Sequence, residues 1–232
     1  MNKRVSGIVG VILSVIILMY FENFSIEVLK LLGLNIYNLN STLQLIINII
    51  IRLLMCFMIY VIYKKDFKSK CLSNNILKSL LVFVVSLISL VIGMYLFDYV
   101  VNFIGDIFDI TVLDRDFYNI FNKTLNMDLI VRIMNDYLIK PFLYVTTILL
   151  GIEKLTKRND TFIMFSGLLA SIVYAVSLEG TLGYVIINSL SMFMLFCILA
   201  FIFKKQNSVW FIILLYSFYL ISSVLIINNL GW

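Results

Sequence analysis

Apolar residues run through this chain in long stretches that polar residues interrupt only briefly. A bilayer crossing takes about 20 apolar residues. On that measure the pattern predicts seven spanning helices, at roughly 5–21, 43–63, 76–97, 129–150, 161–178, 182–203 and 209–227. Two intervals between them are long, 22–42 and 99–128, and mix apolar with polar residues at near-helical spacing. They are expected to rest as interfacial helices on the outer leaflet, the alternative being a lid or docking surface for an extracytoplasmic partner. There is no repeat, no low-complexity tract and no soluble domain. The expected fold class is all-α, a polytopic membrane helix bundle forming one domain over 1–232.

Composition makes lipid the expected solvent. Hydrophobic residues are 62% of the chain and charged residues 13%, with a mean hydropathy of +1.05. Ordinary soluble domains carry about 25% charged residues, so this chain has too few to solvate a globule. Its first apolar run is followed by Phe21-Glu22-Asn23 without a small-residue cleavage site, and is expected to stay as a span rather than leave as a signal peptide.

Charge then orients the bundle. "MNKR", "KKDFKSK", "EKLTKR" and "FKKQ" carry most of the lysine and arginine, and seven spans put all four on one side. The other side receives "ENFSIEV", the segment from Asp98 to Asp128, "SLEG" and the neutral tail "NNLGW". The positive-inside rule therefore places the N-terminus in the cytoplasm and the C-terminus outside, in a cell membrane.

Candidate chemistry is thin. Histidine is absent, which removes most zinc sites and imidazole general bases. Cys56, Cys71 and Cys197 lie far apart without metal-ligand or disulfide spacing. No cofactor or metal is expected, and nucleic acid is not an expected partner. Charges inside predicted spans cost a few kcal/mol each on insertion scales and need a reason. Arg52 sits near the middle of the second span. Arg132, Asp136 and Lys140 recur at i, i+4 and i+8 in the fourth, which puts all three on one α-helical face. The stripe is either self-paired and turned to the bundle interior, or the wall of a polar cavity with Arg52 opposite.

The only proline, Pro141, follows Lys140 within that span. "KPFLYVTTILLGIEKLTKRN", "TFIMFSGLLASIVYAV" and "FIFKKQNSVWFIILLYSFYL" together resemble the CPBP family, the CAAX-protease and bacteriocin-processing membrane proteins also called Abi. The likeness covers about 43–227 and rests on the proline, the Ser166-Gly167 pair and a basic turn before Ser208-Val209-Trp210. In that family one span carries a pair of glutamates and an arginine after the proline, two later spans carry a histidine each, and the glutamate and the two histidines activate water for peptide cleavage. Counted from the matching residues, the glutamate positions hold Tyr144 and Val145, and the arginine position Leu149. The histidine positions hold Tyr174 and Tyr216, and the asparagine that follows the second histidine falls near Tyr219 or Leu220. A phenol, with an ordinary pKa of about 10, is a poor general base and a poor metal ligand. The resemblance therefore implies a degenerate site, Tyr144, Tyr174 and Tyr216 converging where the catalytic residues stood. The alternative is a set of core aromatics in an unrelated seven-span protein.

Glu153, among Lys154, Lys157 and Arg158, and Glu179, in an outer turn, are expected to be ordinary solvated carboxylates. The expected function is that of a non-enzymatic membrane protein acting through lipid and another membrane or cell-surface protein, as scaffold, accessory subunit or self-immunity factor. The alternatives are an atypical intramembrane peptidase and a small-solute transporter using Arg52, Arg132, Asp136 and Lys140. The oligomeric state is left open.

Overall fold

The computed structural model describes residues 3–19, 30–31, 33, 41–69, 76–107, 127–156, 158–178 and 181–230. These are 95% helical with no strand, and form seven helices. They are α1 (Lys3–Met19), α2 (Ser41–Ser69), α3 (Ile76–Ile107), α4 (127–155), α5 (Asn159–Ser177), α6 (Leu182–Gln206) and α7 (Val209–Leu230). Three segments, Ser79–Gly105, Asn159–Ser177 and Leu182–Gln206, are long and apolar enough to cross a membrane. Ile8–Met19 and Val209–Val224 are shorter apolar helices.

The lipid argument is strongest on α3. Only 11% of its most apolar window is buried. Leu81, Val85, Ile88, Ile92, Leu96 and Phe103 all face outward. In water such a helix would present an apolar strip about 40 Å long, far beyond the patches that soluble monomers expose.

Several boundaries differ from expectation. The helix expected to end at 97 continues to Ile107, so the expected outer loop is helical over its first nine residues; 108–126 lie outside the described residues. The continuation is physical: 99–104 stay apolar, and Asp98 finds a partner within the bundle. The helix expected over 43–63 runs on to Ser69, carrying most of "KKDFKSK" as helix. Of the interval 22–42, Lys30, Leu31, Gly33 and the start of α2 are described, too little to test an interfacial helix. Glu179 also lies outside the described residues.

The fourth helix departs most from regularity. Its α-helical pieces Met127–Met134, Lys140–Val145 and Gly151–Leu155 are joined by π-helical turns at Asn135–Ile139 and Thr146–Leu150. Pro141 has no N–H, and its ring would meet the carbonyl four residues back in an α-helix. The widened turn just before it, in which the Lys140 N–H reaches the Asn135 carbonyl, relieves that conflict. From Leu143 to Ile152 every α4 residue is buried, and α1, α2, α5 and α7 pack against this irregular helix.

The remaining helices are set by local chemistry. α5 and α6 are the most extensively packed pair, and small residues make their approach close. A Cβ on Gly167 would lie 2.6 Å from Cys197 Sγ and 2.8 Å from the Phe193 carbonyl oxygen. The α6–α7 turn needs two residues. Asn207 takes a left-handed conformation (φ 50°) and its N–H reaches the Phe203 carbonyl at 2.7 Å, a role asparagine fills at helix ends. Ser208 Oγ then accepts from the Phe211 N–H at 3.4 Å, capping α7.

Candidate functional site

Tyrosines from α4 and α7 meet around one phenylalanine of α6. Phe196, fully buried on α6, has the Tyr144 ring of α4 at 6.2 Å and the Tyr216 ring of α7 at 5.7 Å, the latter edge-on. Tyr219, one turn beyond Tyr216, stacks on it at 6.5 Å. Tyr174 of α5, half-buried, packs against the same core. The phenols of Tyr144, Tyr174 and Tyr219 all lie within electrostatic range of Tyr216. The three tyrosines marked by the sequence frame therefore occupy one region of the bundle. Val145 and Leu149, at the other two marked positions, are wholly buried in the same core.

Edge-to-face and offset ring contacts of this kind add about 0.5–1.5 kcal/mol each beyond area burial. The cluster can donate and accept hydrogen bonds, but its ring and phenol groups supply no proton acceptor active near neutral pH. Among the described residues no group of three or more His, Cys, Asp or Glu side chains is placed to hold a metal. Close by in sequence, the hydroxyls of Thr146, Thr147 and Ser166 are buried without a hydrogen-bond partner.

The polar stripe runs through the π turn at Asn135–Ile139. With i→i+5 bonding that turn takes in one additional residue, so Asp136 and Lys140, four apart within it, still fall near one face of α4. Asp136 Oδ1 accepts from Asn135 Nδ2 at 2.7 Å. Lys140 Nζ lies 6.0 Å from the centre of the Tyr144 ring, which turns it toward the aromatic cluster. The helix bearing Arg52 packs against the α4 segment that carries Asp136. The Arg132 side chain lies outside the described ones.

Two polar groupings carried no clear mark in the sequence. Asp98, expected at the start of an outer loop, is buried in α3 and accepts a 3.0 Å hydrogen bond from Ser191 of α6. A carboxylate so far inside an apolar helix needs such a partner. At the opposite end, Lys154 pairs with Asp66 at 3.1 Å and Lys204 with Glu153 at 3.5 Å, tying α2, α4 and α6 together. Glu153 thus pairs across the bundle to α6, while its neighbour Lys154 pairs with Asp66. Above them Ser14 Oγ and Tyr63 Oη are 2.9 Å apart, with Tyr63 packed where a Cβ on Gly151 would come within 3.2 Å. The alternation of charge along the chain put these groups at one end, but only the packing chooses the pairs.

Compared with protein-family models, curated proteins and solved structures, the chain matches none.

Proposed function

We propose that this protein is a seven-span membrane protein on a CPBP-like scaffold, with its N-terminus in the cytoplasm, whose hydrolytic site is inert. It acts by binding another membrane or cell-surface protein, as scaffold, accessory subunit or self-immunity factor. One observation carries the reading: the positions where such a hydrolase places two glutamates and two histidines hold Tyr144, Val145, Tyr174 and Tyr216, and of these Tyr144 and Tyr216 flank the buried Phe196 while Tyr174 lies within electrostatic range of Tyr216. A working site would need a proton acceptor there; an aromatic cluster instead fills the space and stiffens the helices around it.

The test uses the full chain purified in detergent and offered a broad peptide library. No cleavage above the background of an empty-vector preparation is expected. Cleavage that disappears in Asp136→Asn or Glu153→Gln would overturn the inert reading and install an atypical peptidase in its place. A second reading, small-solute transport, draws support from the two widened turns of α4 beside Asp136 and Lys140, because interrupted helices line many transport sites. Solute uptake into proteoliposomes that is lost in Asp136→Asn would favour it.

A further inference from the structure

We propose that the basic end of the bundle is a docking surface for the anionic headgroups of phospholipids. The proposal needs residence in a membrane and does not depend on the inert-site reading. Cations at this end fall into two kinds. Lys154 and Lys204 are held in place, each by a carboxylate and by a ring beneath: Tyr63 at 4.4 Å and Phe162 at 4.3 Å. Lys64, Lys65, Arg158 and Lys205 are exposed, and among the described residues no carboxylate pairs with them. The two ion pairs gather the ends of α2, α4 and α6, so the four unpaired cations are brought to one rim. Of the side chains described at this end, six cations face three carboxylates (Asp66, Glu153 and Asp160), leaving a surplus of positive charge.

Placement identifies the anion as lipid. Lys205 lies over the ring of Phe201 at 4.4 Å, and Phe201 is itself on the exposed apolar face of α6. On α2 the exposed Phe57 and Val61 stand two turns and one turn before Lys64 and Lys65. These cations end lipid-facing stripes, where a long side chain carries its ammonium to phosphate level while the stem stays apolar. Trp210, 40% exposed, packs its ring 5.3 Å from Phe67, three residues after Lys64. An indole half in and half out marks the depth at which headgroups begin. Acidic proteins and soluble phosphates have no reason to meet cations at the foot of apolar stripes; anionic lipid does.

The experiment exploits Trp210. The chain has two tryptophans, so Trp232→Phe leaves Trp210 as the only indole. This protein is placed in nanodiscs holding brominated phosphatidylglycerol or, in parallel, brominated phosphatidylcholine at the same mole fraction, and Trp210 quenching reports which lipid collects beside it. Basic residues near an anionic surface are each worth about a fivefold preference. Quenching should favour phosphatidylglycerol, and combining Lys64→Gln, Lys65→Gln, Arg158→Gln and Lys205→Gln should cut the preference by about tenfold or more. Should that variant fail to fold, salt decides on the native cations: preference must fall between low salt and about 0.5 M, where the Debye length drops to a few ångströms. Equal quenching by both lipids, or a preference that survives both the substitutions and salt, overturns the proposal. So does displacement by millimolar glycerol phosphate, which would make the rim a site for a soluble anion.

Discussion

Replacing Gly167 with alanine adds one methyl group at the described glycine whose neighbours lie closest. The new Cβ would lie 2.6 Å from Cys197 Sγ, 2.8 Å from the Phe193 carbonyl oxygen and 2.9 Å from Phe193 Cδ2. Ordinary contacts between such atoms are about 3.5–4.0 Å, so α5 and α6 must part by roughly 1 Å. A sulfur can be displaced by a local shift, but a backbone carbonyl has no rotamer to escape into. Overpacking of this kind costs about 1–3 kcal/mol, and the backbone obstacle argues for the upper end. Alanine returns about 1 kcal/mol through its better helix propensity, leaving a net loss near ~2 kcal/mol. For a chain of this size that lowers the Tm by about 4–8 °C, readable by thermal unfolding in detergent or nanodiscs. Gly93→Ala is the internal control, because its Cβ would meet only Ile198 Cδ1 at 3.9 Å, and it should leave the Tm level or raise it. Gly167→Ala combined with Cys197→Ala should recover only part of the loss, since the Phe193 carbonyl stays where it is. A Gly167→Ala protein as stable as Gly93→Ala would refute the close approach, and full recovery in the double variant would place the obstacle on the sulfur alone.

Phe196→Ala empties the centre of the tyrosine cluster and should cost about 3–5 kcal/mol, whereas Phe196→Leu should cost clearly less; equal losses by thermal melt would mean that the rings do not pack on Phe196 as described. Pro141→Ala supplies the backbone donor that α4 lacks, so it should raise the Tm, by up to the ~3 kcal/mol that proline costs in a helix interior. A Tm that is unchanged or lower would show that packing of Asn135, Tyr137 and Ile139, rather than the proline, holds the π turn open.

The helices were legible in the sequence because their apolar runs are long and charged or amide residues stand at most breaks; three of them reach the length that a bilayer crossing takes. Asn207 and Ser208 announce a turn by type, one tolerating positive φ and the other capping the next helix. What the pattern could not carry was any feature set by a partner across the bundle. Asp98 looks like a loop residue until Ser191 is beside it. The register of Arg132, Asp136 and Lys140 assumed a continuous α-helix, and Pro141 was the one clue that it was not. The second π turn, at Thr146–Leu150, holds no proline and only Gly151 follows it, so nothing in its sequence marked it. Tyr144, Tyr174 and Tyr216 were singled out by their frame. Phe196, the ring between two of them, is one apolar residue among many in α6.

The distribution of polar contacts along the bundle bears directly on function. At one end Asp98 and Ser191 link α3 to α6, about 13 Å in from the helix termini at 1.5 Å per residue. At the other, Lys154–Asp66 and Lys204–Glu153 link α2, α4 and α6. Between them, Tyr144, Phe196 and Tyr216 sit about 10–17 Å from the basic end, where the bundle is filled with rings. Asp98–Ser191 and the ring cluster thus lie at comparable depth from opposite ends, and the two ion pairs alone sit at a terminus. A hydrolase inside a membrane needs charged, proton-handling groups pooled at one spot at depth and water led to them. Here Asp136 and Lys140 lie at depth on α4, but the tyrosine region beside them is filled with rings, which suits the proposed rigid body. On the proposed binding role, loss of the mid-depth rings should lower the Tm, whereas Ile88→Ala with Ile92→Ala on the exposed face of α3 should leave the Tm in place and reduce co-purification of the proposed partner.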